Sequence, residues 1–98
     1  SPKAVVVRLS SLVDVVQSLP VVAAILATRF DTRVDWVVEP AFAPIVRRVR
    51  GIGEVIECAL RKWRRTPAHP STWLEARAFV ARLRRERYDA VLDLQGLT

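Results

Sequence analysis

The sequence predicts an α/β fold built on a doubly wound parallel sheet, and three observations support this class. Short apolar runs that suit buried strands alternate with longer segments of helical periodicity. This alternation occurs three times and ends on a fourth strand-like run, which is the order of a parallel sheet with right-handed crossovers. The composition, 51% hydrophobic and 27% charged, agrees with a packed core and not with a disordered chain.

Length and charge limit the classes of protein to consider. Ninety-eight residues make one domain or part of one. Because the pattern stops on a strand with no helix behind it, we expect the chain to be the first half of a longer doubly wound domain. The net charge of +6 and the pI of about 11.0 indicate an anionic partner. Nucleic acid, an anionic membrane surface and a phosphorylated or carboxylated small molecule all fit this charge.

Cysteine usage and hydropathy predict a soluble or peripheral protein. The single cysteine, Cys58, excludes an intramolecular disulfide and agrees with a reducing compartment, where a buried thiol without a function is its simplest interpretation. Arg8 and Asp14 interrupt the first apolar stretch, so we expect no secretory signal there. The weakly polar run over residues 19–27 is shorter than the roughly 20 residues that a membrane span needs.

Four short apolar runs predict the strands of the sheet. They cover residues 3–9, 33–39, 54–60 and 89–94. The first run contains three consecutive valines, as expected of a central strand buried on both faces. In the second run Val34, Trp36 and Val38 alternate with other residues and therefore share one face.

Apolar residues recur at helical spacing in the segments between these runs. The segment after the first strand contains Pro20, which either kinks a continuous helix or begins its main part. Residues 40–50 predict a short helix, and residues 72–87 predict a longer one with Thr72 and Glu75 as its capping box. The apolar stripe of the longer helix consists of Ala76, Phe79, Val80 and Leu83.

The turn after the first strand carries a carboxylate, Asp14. Ser11 lies three residues before it, so the pair approximates a capping box, and the helix dipole stabilises such a charge by roughly 0.3–1 kcal/mol. This structural role explains Asp14 without any chemistry. The alternative is a role in binding or catalysis, because ligands of parallel α/β sheets collect outside the carboxyl ends of the strands. The local pattern leaves both interpretations open.

Residues 61–70 contain two prolines and no apolar periodicity, which predicts a loop. Its first half places four cations around Trp63, and these are Arg61, Lys62, Arg64 and Arg65. Arginine binds carboxylates and phosphates through paired hydrogen bonds, and an indole can stack on a sugar. A solvated basic surface is the alternative. Because the turns after parallel strands lie at one edge of the sheet, we expect this segment and Asp14 to share one crevice.

Several common functional motifs are absent from the sequence. It has neither a glycine fingerprint for dinucleotides nor a phosphate-binding P-loop. His69 lies between prolines with no second ligand at metal spacing, and it has no triad spacing to Ser10 or Ser11. Nucleic acid binding would use the arginines, but Trp36 and Trp73 fall in apolar patterns and no recognised binding motif occurs.

Four separated segments of the sequence resemble the lipopolysaccharide heptosyltransferases, which form glycosyltransferase family 9. The segments are Ser-Ser-Leu-Val-Asp-Val-Val-Gln-Ser-Leu-Pro from residue 10, Val-Asp-Trp-Val-Val-Glu from 34, Leu-Arg-Lys-Trp-Arg-Arg from 60 and Tyr-Asp-Ala-Val-Leu-Asp-Leu-Gln-Gly-Leu from 88. They follow the family's order along essentially the whole chain. The family has the GT-B architecture of two Rossmann-like domains. The resemblance therefore implies that residues 1–98 are the first half of the amino-terminal, acceptor-side Rossmann-like domain, and that a carboxy-terminal domain outside them binds the donor.

The resemblance also implies an activity and roles for individual residues. The reaction is an inverting transfer of heptose from ADP-heptose to a Kdo sugar of the lipid A inner core in lipopolysaccharide biosynthesis, without a metal or a separate cofactor. Asp14 would be the general base on the acceptor hydroxyl. Ser10, Ser11 and Val13 would lie near the donor. The carboxylates and phosphates of the acceptor would be held by Arg61, Lys62, Arg64 and Arg65.

Partners and location follow from the same resemblance. The implied partners are Kdo-lipid A and, through the second domain, ADP-heptose, with peripheral association at the cytoplasmic face of the inner membrane and no nucleic acid. The sequence departs from the family motif at Val13, where Gly is usual, and at Gln17, where His is common. The alternative is a non-catalytic domain that binds an anionic membrane surface or nucleic acid through the same arginines. Residues 1–98 alone are expected to be inactive.

Overall fold

The computed structural model describes residues 2–29 and 31–95, and this part of the chain has the expected α/β fold. Its elements in order are β1 (Lys3–Val7), α1 (Leu12–Thr28), β2 (Arg33–Val38), a 3₁₀ turn (Pro40–Phe42), α2 (Ala43–Val46), β3 (Val55–Glu57), α3 (Leu60–Arg65), α4 (Pro70–Glu86) and β4 (Ala90–Asp93). All four predicted strands are present. The sequence also predicts a turn over Gln95, Gly96 and Leu97 after the last strand, and Gly96 and Leu97 lie outside the described residues.

The four strands form one parallel sheet in the order β3-β2-β1-β4. The triple-valine strand β1 is central, as its composition indicates. From β1 the chain adds strands on one side as far as β3 and then crosses to the other side to form β4. The strand order therefore reverses between β1 and β4. In doubly wound sheets ligands bind outside the carboxyl ends of the strands at this switch point.

Helices cover both faces of the sheet, which makes it doubly wound. On one face α1 and α2 pack against a core that includes Val34, Trp36 and Val38, so the predicted alternation in β2 is confirmed. On the other face α3 and α4 pack against a second core, formed by Val5, Val37, Ile56 and Cys58. Cys58 is the expected buried free thiol, and burial raises its pKa.

Helix α1 runs continuously through Pro20, so the two-part alternative is wrong. Pro20 is exposed, and its ring therefore does not disturb the packed side of the helix. The buried side consists of Val15, Ser18 and Val22, at spacings of three and four residues. The Ser18 hydroxyl donates to the backbone carbonyl of Asp14 (2.8 Å). This bond lies within α1 and satisfies the buried Ser18 hydroxyl, whereas Val15 and Val22 pack the helix against the sheet.

Two predicted elements are shorter than the sequence suggested. The helix expected over residues 40–50 is a 3₁₀ turn followed by a single α-helical turn. The helix ends at Val46, and Gly51, which the sequence suggests as its end, lies five residues further on in the following turn with a positive φ of 87°. Strand β3 spans three residues where seven were expected, because the chain turns into α3 at Leu60.

The basic segment after β3 begins with a helix, so the prediction of a loop is wrong for residues 61–65, and Leu60, predicted as the end of the third strand, is the first residue of this helix. A segment of fewer than two turns shows too little periodicity to be recognised in a sequence. Its two apolar residues, Leu60 and Trp63, are three positions apart and pack together against the second core. The Trp63 ring lies 5.9 Å from the Phe79 ring, centroid to centroid. The helix is therefore fixed by the same core as α4.

Helix α4 begins two residues earlier than predicted and has a different cap. Nδ1 of His69 accepts the backbone N–H of Ser71 (3.2 Å), which gives this histidine a structural role. Thr72 is buried and donates to the carbonyl of Thr66 (2.8 Å), while the Glu75 side chain contacts α3. The predicted capping box of Thr72 and Glu75 is therefore wrong.

The apolar stripe predicted for α4 is only partly buried. Phe79 and Leu83 pack against the second core. Val80 and Trp73, which fell in the same apolar pattern, are exposed by 43% and 66%. Over the described ranges 2–29 and 31–95, no helix combines the length and hydropathy needed to cross a bilayer.

A buried charge network joins the strands far from their carboxyl ends. The Asp35 carboxylate has no solvent exposure and accepts Nε and Nη2 of Arg33 (3.0 and 2.8 Å), the Tyr88 hydroxyl (2.5 Å) and the Glu54 backbone N–H (2.8 Å). Burial alone would raise the pKa of Asp35, but these hydrogen bonds outweigh it and hold the pKa below its usual range. The network connects β2 with β3 and with the segment between α4 and β4.

Candidate functional site

A cavity of about 400 Å³ lies outside the carboxyl ends of the central strands, where parallel sheets bind ligands. Its walls come from the turns after β1, β2 and β4 and from both ends of α3. The lining residues are Leu9, Ser10, Glu39, Leu60, Arg61, Arg64, Arg65 and Gln95. Three guanidinium groups and one carboxylate give this cavity an excess of positive charge. We call it the arginine cavity, and its chemistry suits an anionic ligand.

A second cavity of about 320 Å³ adjoins the arginine cavity and shares Glu39, Arg61 and Arg65 with it. Lys62 lines this second cavity, and its Nζ lies 3.6 Å from Oε2 of Glu75. The four cations predicted to act together therefore differ in position. Arg64 faces the arginine cavity, Lys62 faces the adjoining one, and Arg61 and Arg65 lie between the two.

Helix α3 places these cations because its apolar residues face the core. Leu60 and Trp63 point to the second core, so the positions between and after them are left for the surface. The indole Nε1 of Trp63 donates to Oε1 of Glu75 on α4 (3.1 Å). This bond and the neighbouring Lys62 hold the pKa of Glu75 below its usual range. The tryptophan that the sequence suggested as a sugar-stacking group instead packs against Phe79.

Asp14 lies in the first turn of α1, four residues after Ser10, which lines the arginine cavity, but Asp14 itself is not among the lining residues. Oδ2 of Asp14 accepts both the backbone N–H and the hydroxyl of Ser11 (3.2 Å each), and Oδ1 lies 2.8 Å from Nη2 of Arg8. The N–H of Ser11 lowers the pKa of Asp14, and the charge of Arg8 adds to this shift although desolvation opposes it. Asp14 is therefore ionised at neutral pH and can accept a proton.

The expected common crevice is thus present in part. Ser10, in the same turn as Asp14, lines the arginine cavity together with Arg61, Arg64 and Arg65. Ser11 is the N-cap residue of α1, and its N–H bond to Asp14 is one half of the predicted capping box. Val13 is 61% exposed in the first turn of α1 and does not have a positive φ, so a valine fits this backbone without strain.

Three residues of this region were not singled out as site residues by the sequence, namely Arg8, Glu39 and Gln95. The buried Arg8 side chain donates through Nη1 to the carbonyl of Leu94. Oε1 of Gln95 accepts the backbone N–H of Leu9 (2.9 Å). Arg8 and Glu39 directly follow a strand, and Gln95 lies two positions after the end of β4. The rule that the carboxyl ends of parallel strands share one edge could therefore have selected them.

The side chains at this edge offer a fixed carboxylate and a group of arginines, which suit proton transfer and anion binding. Within the part of the chain that the structure describes, no three His, Cys, Asp or Glu residues are grouped so that they could hold a metal ion. His69, considered above as a ligand or a catalytic base, caps α4 instead.

Comparisons with known proteins identify similar sequences. No family model matches the chain. Lipopolysaccharide heptosyltransferase 1 of Escherichia coli K12 is 36% identical over 95 residues, which are 97% of this chain and 30% of the relative. The protein of the same name from Pseudomonas aeruginosa PAO1 is also 36% identical, over 97% of this chain and 27% of its own length.

Solved structures show the same similarity in three dimensions. Escherichia coli heptosyltransferase WaaC with ADP superposes with a TM-score of 0.86 at 33% identity, covering 93% of this chain and 28% of that one. WaaC with ADP-2-deoxy-2-fluoro heptose gives a TM-score of 0.85 over 93% and 29%. The chain spans about 30% of the length of these relatives. Along almost its whole sequence, the chain is similar to the amino-terminal part of lipopolysaccharide heptosyltransferase 1, the glycosyltransferase that its four sequence segments resemble.

Proposed function

We propose that this chain forms the acceptor side of an inverting heptosyltransferase that moves heptose from ADP-heptose to a Kdo sugar of the lipid A inner core. The arginine cavity at the switch point, with the ionised Asp14 beside it, is the observation on which this proposal rests most directly. The relatives' names support heptose as the transferred group. The solved neighbours contain ADP or ADP-2-deoxy-2-fluoro heptose, which supports an ADP-sugar as donor.

In the proposed reaction Asp14 removes the proton from the attacking hydroxyl of the acceptor. The hydroxyl oxygen forms a bond to the anomeric carbon of heptose from the face opposite ADP, and the bond from that carbon to ADP breaks. ADP leaves with the electron pair, the proton stays on Asp14, and the configuration at carbon inverts. A positioned base of this kind typically contributes about 10²- to 10⁴-fold in rate.

The arginine cavity is the proposed site for the acceptor's charged groups. Kdo carries a carboxylate and lipid A carries phosphates, and guanidinium groups bind both through paired hydrogen bonds. Each such charge-assisted contact contributes about 1.5–3 kcal/mol. Arg61, Arg64 and Arg65 supply these contacts in the proposal, and Lys62 adds a longer-range charge from the adjoining cavity.

The donor is proposed to lie against the start of α1. Backbone N–H groups at a helix N-terminus attract phosphate, which favours Ser10, Ser11 and Val13 as neighbours of the ADP diphosphate. Since the relatives are about three times longer than this chain, we propose that the rest of the full-length protein holds most of the donor. No cofactor beyond the two substrates takes part in this scheme.

The acceptor's lipid anchor determines the proposed location. We place the full-length protein at the cytoplasmic face of the inner membrane, bound as a peripheral protein without a requirement for nucleic acid. The net charge of +6 on these 98 residues supports attraction to an anionic lipid surface.

The test is a transfer assay with the full-length protein, ADP-heptose and Kdo-lipid A, in which released ADP is counted and the anomeric configuration of the product is read by NMR. We expect one ADP per transferred heptose and inversion at the anomeric carbon. Retention of configuration would contradict the proposed role of Asp14. Absence of transfer combined with binding to DNA or to anionic vesicles at physiological salt would instead support the non-catalytic alternative.

A further inference from the structure

We propose that Arg8 is a positioning residue that holds the carboxylate of Asp14 in its reactive orientation, an inference that rests on the function proposed above. Arg8 follows β1 directly and is only 5% exposed. Its Nη2 lies 2.8 Å from Oδ1 of Asp14, and its Nη1 donates to the backbone carbonyl of Leu94. One guanidinium therefore links the first turn of α1 to the end of β4.

The backbone of Arg8 is held firmly by hydrogen bonds to the sheet. The backbone N–H of Arg8 donates to the carbonyl of Val37 on β2 (3.2 Å). The backbone carbonyl of Arg8 accepts Nε1 of Trp36, a fully buried side chain (3.1 Å). Because both backbone groups of Arg8 are bonded to the centre of the sheet, the guanidinium extends from a fixed point towards Asp14.

A buried arginine is an unfavourable choice for a purely structural residue, because burying its charge costs free energy. Moving its charge out of water is costly, and apolar replacements of buried ion pairs are often neutral or stabilising. Nε of Arg8 is buried and has no hydrogen-bond partner among the described residues, so its hydrogen bonds do not fully offset the cost of removing the guanidinium from water. A structural role alone does not account for arginine at this position, whereas the need to orient a carboxylate does.

The contacts fix Asp14 at both oxygens. Arg8 contacts Oδ1, and Ser11 donates to Oδ2 through its N–H and hydroxyl. Rotation of the carboxylate about its terminal bond would break contacts on both sides. The side chain of Asp14 is still 30% exposed, so a substrate hydroxyl can reach it. The groups that face the Asp14 carboxylate are thus the Arg8 cation just after β1 and the N–H and hydroxyl dipoles of Ser11 at the start of α1. The Leu94 carbonyl lies behind Arg8.

The same link reaches the arginine cavity. Gln95, which follows Leu94 and lines that cavity, accepts the backbone N–H of Leu9 through Oε1 (2.9 Å). Arg8 and Gln95 therefore tie the ends of β1 and β4 together from both directions. One set of bonds across the switch point therefore holds Asp14, the proposed general base, and the wall of the arginine cavity relative to each other.

The test compares the full-length protein with its Arg8→Met and Arg8→Lys variants over a pH series. For Arg8→Met we expect kcat to fall by about 10²-fold, the cost of a misplaced reacting group, while the KM for acceptor stays within twofold. The acid limb of the kcat profile should move to higher pH, because Asp14 loses the cation that favours its ionised form. Arg8→Lys keeps the charge but not the planar double contact, so its acid limb should stay near wild type while kcat falls. Arg48→Met, at an exposed arginine outside the arginine cavity, is the matched control.

The outcomes separate this inference from the proposed function. A folded Arg8→Met protein with wild-type kcat and an unmoved acid limb overturns the positioning role. A lower melting temperature with unchanged kcat per folded molecule also overturns it. If Arg8→Met fails to fold, Arg8→Lys decides: a lower kcat at a normal melting temperature supports the inference, and a wild-type kcat overturns it. Wild-type turnover by Asp14→Asn would instead reject the proposed role of Asp14 as the base, and absence of heptose transfer by the wild-type full-length protein would reject the proposed function.

Discussion

Asp14 makes the contacts of a helix cap, and in our proposal it also acts as the base, although its sequence context presents these two roles as alternatives. Its bond from the Ser11 N–H is what a capping aspartate makes. Its contact with the buried Arg8 is an addition that capping does not require. A carboxylate whose two oxygens are held from different directions is fixed more firmly than helix capping demands. The contacts of Asp14 are therefore compatible with both the capping role and the proposed chemical role.

The arginines of α3 give a prediction at the residue scale. Arg61→Ala and Arg64→Ala in the full-length protein should raise the KM for acceptor about tenfold or more, since each charge-assisted contact contributes about 1.5–3 kcal/mol. Lys62→Ala should have a smaller effect, because Lys62 lies in the adjoining cavity and near Glu75. Kinetics in which each substrate is varied separately provide the measurement. Arg48→Ala is the control, and an equal rise in the KM for donor would count against an acceptor site.

Contacts between distant residues limit what the sequence can predict about this site. The sequence predicts that the segment after β3 and the turn with Asp14 share one edge of the sheet. Ser10, Arg61 and Arg64 do line one cavity there, but Asp14 is not among its lining residues. The same rule places Arg8 at this edge but does not reveal its contact with Leu94, which is 86 positions away in the sequence. Only the register between β1 and β4 brings these two residues together.

Whether a helix or strand could be predicted from the sequence depended on its length and on the number of apolar residues on its buried face. The strands and α4 have enough apolar residues at regular spacing to be predicted. Helix α3 has six residues, fewer than two turns, and its inward face consists of Leu60 and Trp63 alone. The Thr72 and Glu75 pair matched a capping motif, but the Thr72 hydroxyl bonds to Thr66 instead. Local patterns fail where a side chain finds a partner on another segment.

Trp63 gives a prediction for α3 as an element. Trp63→Ala should lower the free energy of unfolding by about 2 kcal/mol, less than the roughly 3–5 kcal/mol of a fully buried aromatic residue, because the ring is only partly buried. It should also raise the KM for acceptor, since α3 positions the arginines. Urea unfolding and kinetics measure the two effects. Trp73→Ala, at a side chain that is 66% exposed, is the matched control, and equal stability of the two variants would contradict this account of α3.

The Asp35 network gives a prediction for the whole molecule. Asp35→Asn should destabilise the fold by about 2–3 kcal/mol at neutral pH, because the buried carboxylate that accepts from Arg33, Tyr88 and Glu54 loses its charge, although Arg33 keeps its ion pair with Glu86. The folded-state pKa of Asp35 lies below its unfolded value. Its contribution is therefore complete above the unfolded pKa of about 3.9 and is lost as the pH falls through the folded pKa.

Urea unfolding between pH 7 and the acid range tests this prediction. The stability of the wild-type chain should fall more steeply with acid than that of Asp35→Asn, which has no carboxylate to protonate at this position. Asp31→Asn, at an exposed residue, should behave as wild type. Parallel pH dependences for wild type and Asp35→Asn would show that the network contributes nothing to acid stability.

The second prediction at this scale concerns the binding of ADP by residues 1–98. Residues 1–98 alone should bind ADP more weakly than about 1 mM, close to −4 kcal/mol, because the sequence has no glycine fingerprint and the relatives are about three times longer. Isothermal titration calorimetry measures this affinity, with the full-length protein as the comparison. Micromolar binding by the 98 residues would mean that the donor site lies within them.

The turnover of Asp14→Asn in the full-length protein tests the central claim most directly. Asparagine keeps the shape of the side chain and caps a helix nearly as well as aspartate, but it cannot take a proton from a sugar hydroxyl. We expect kcat to fall by about 10²- to 10⁴-fold, with the melting temperature and acceptor binding nearly unchanged. A variant that melts early but turns over at the wild-type rate when folded would show that Asp14 is a helix cap and not the base.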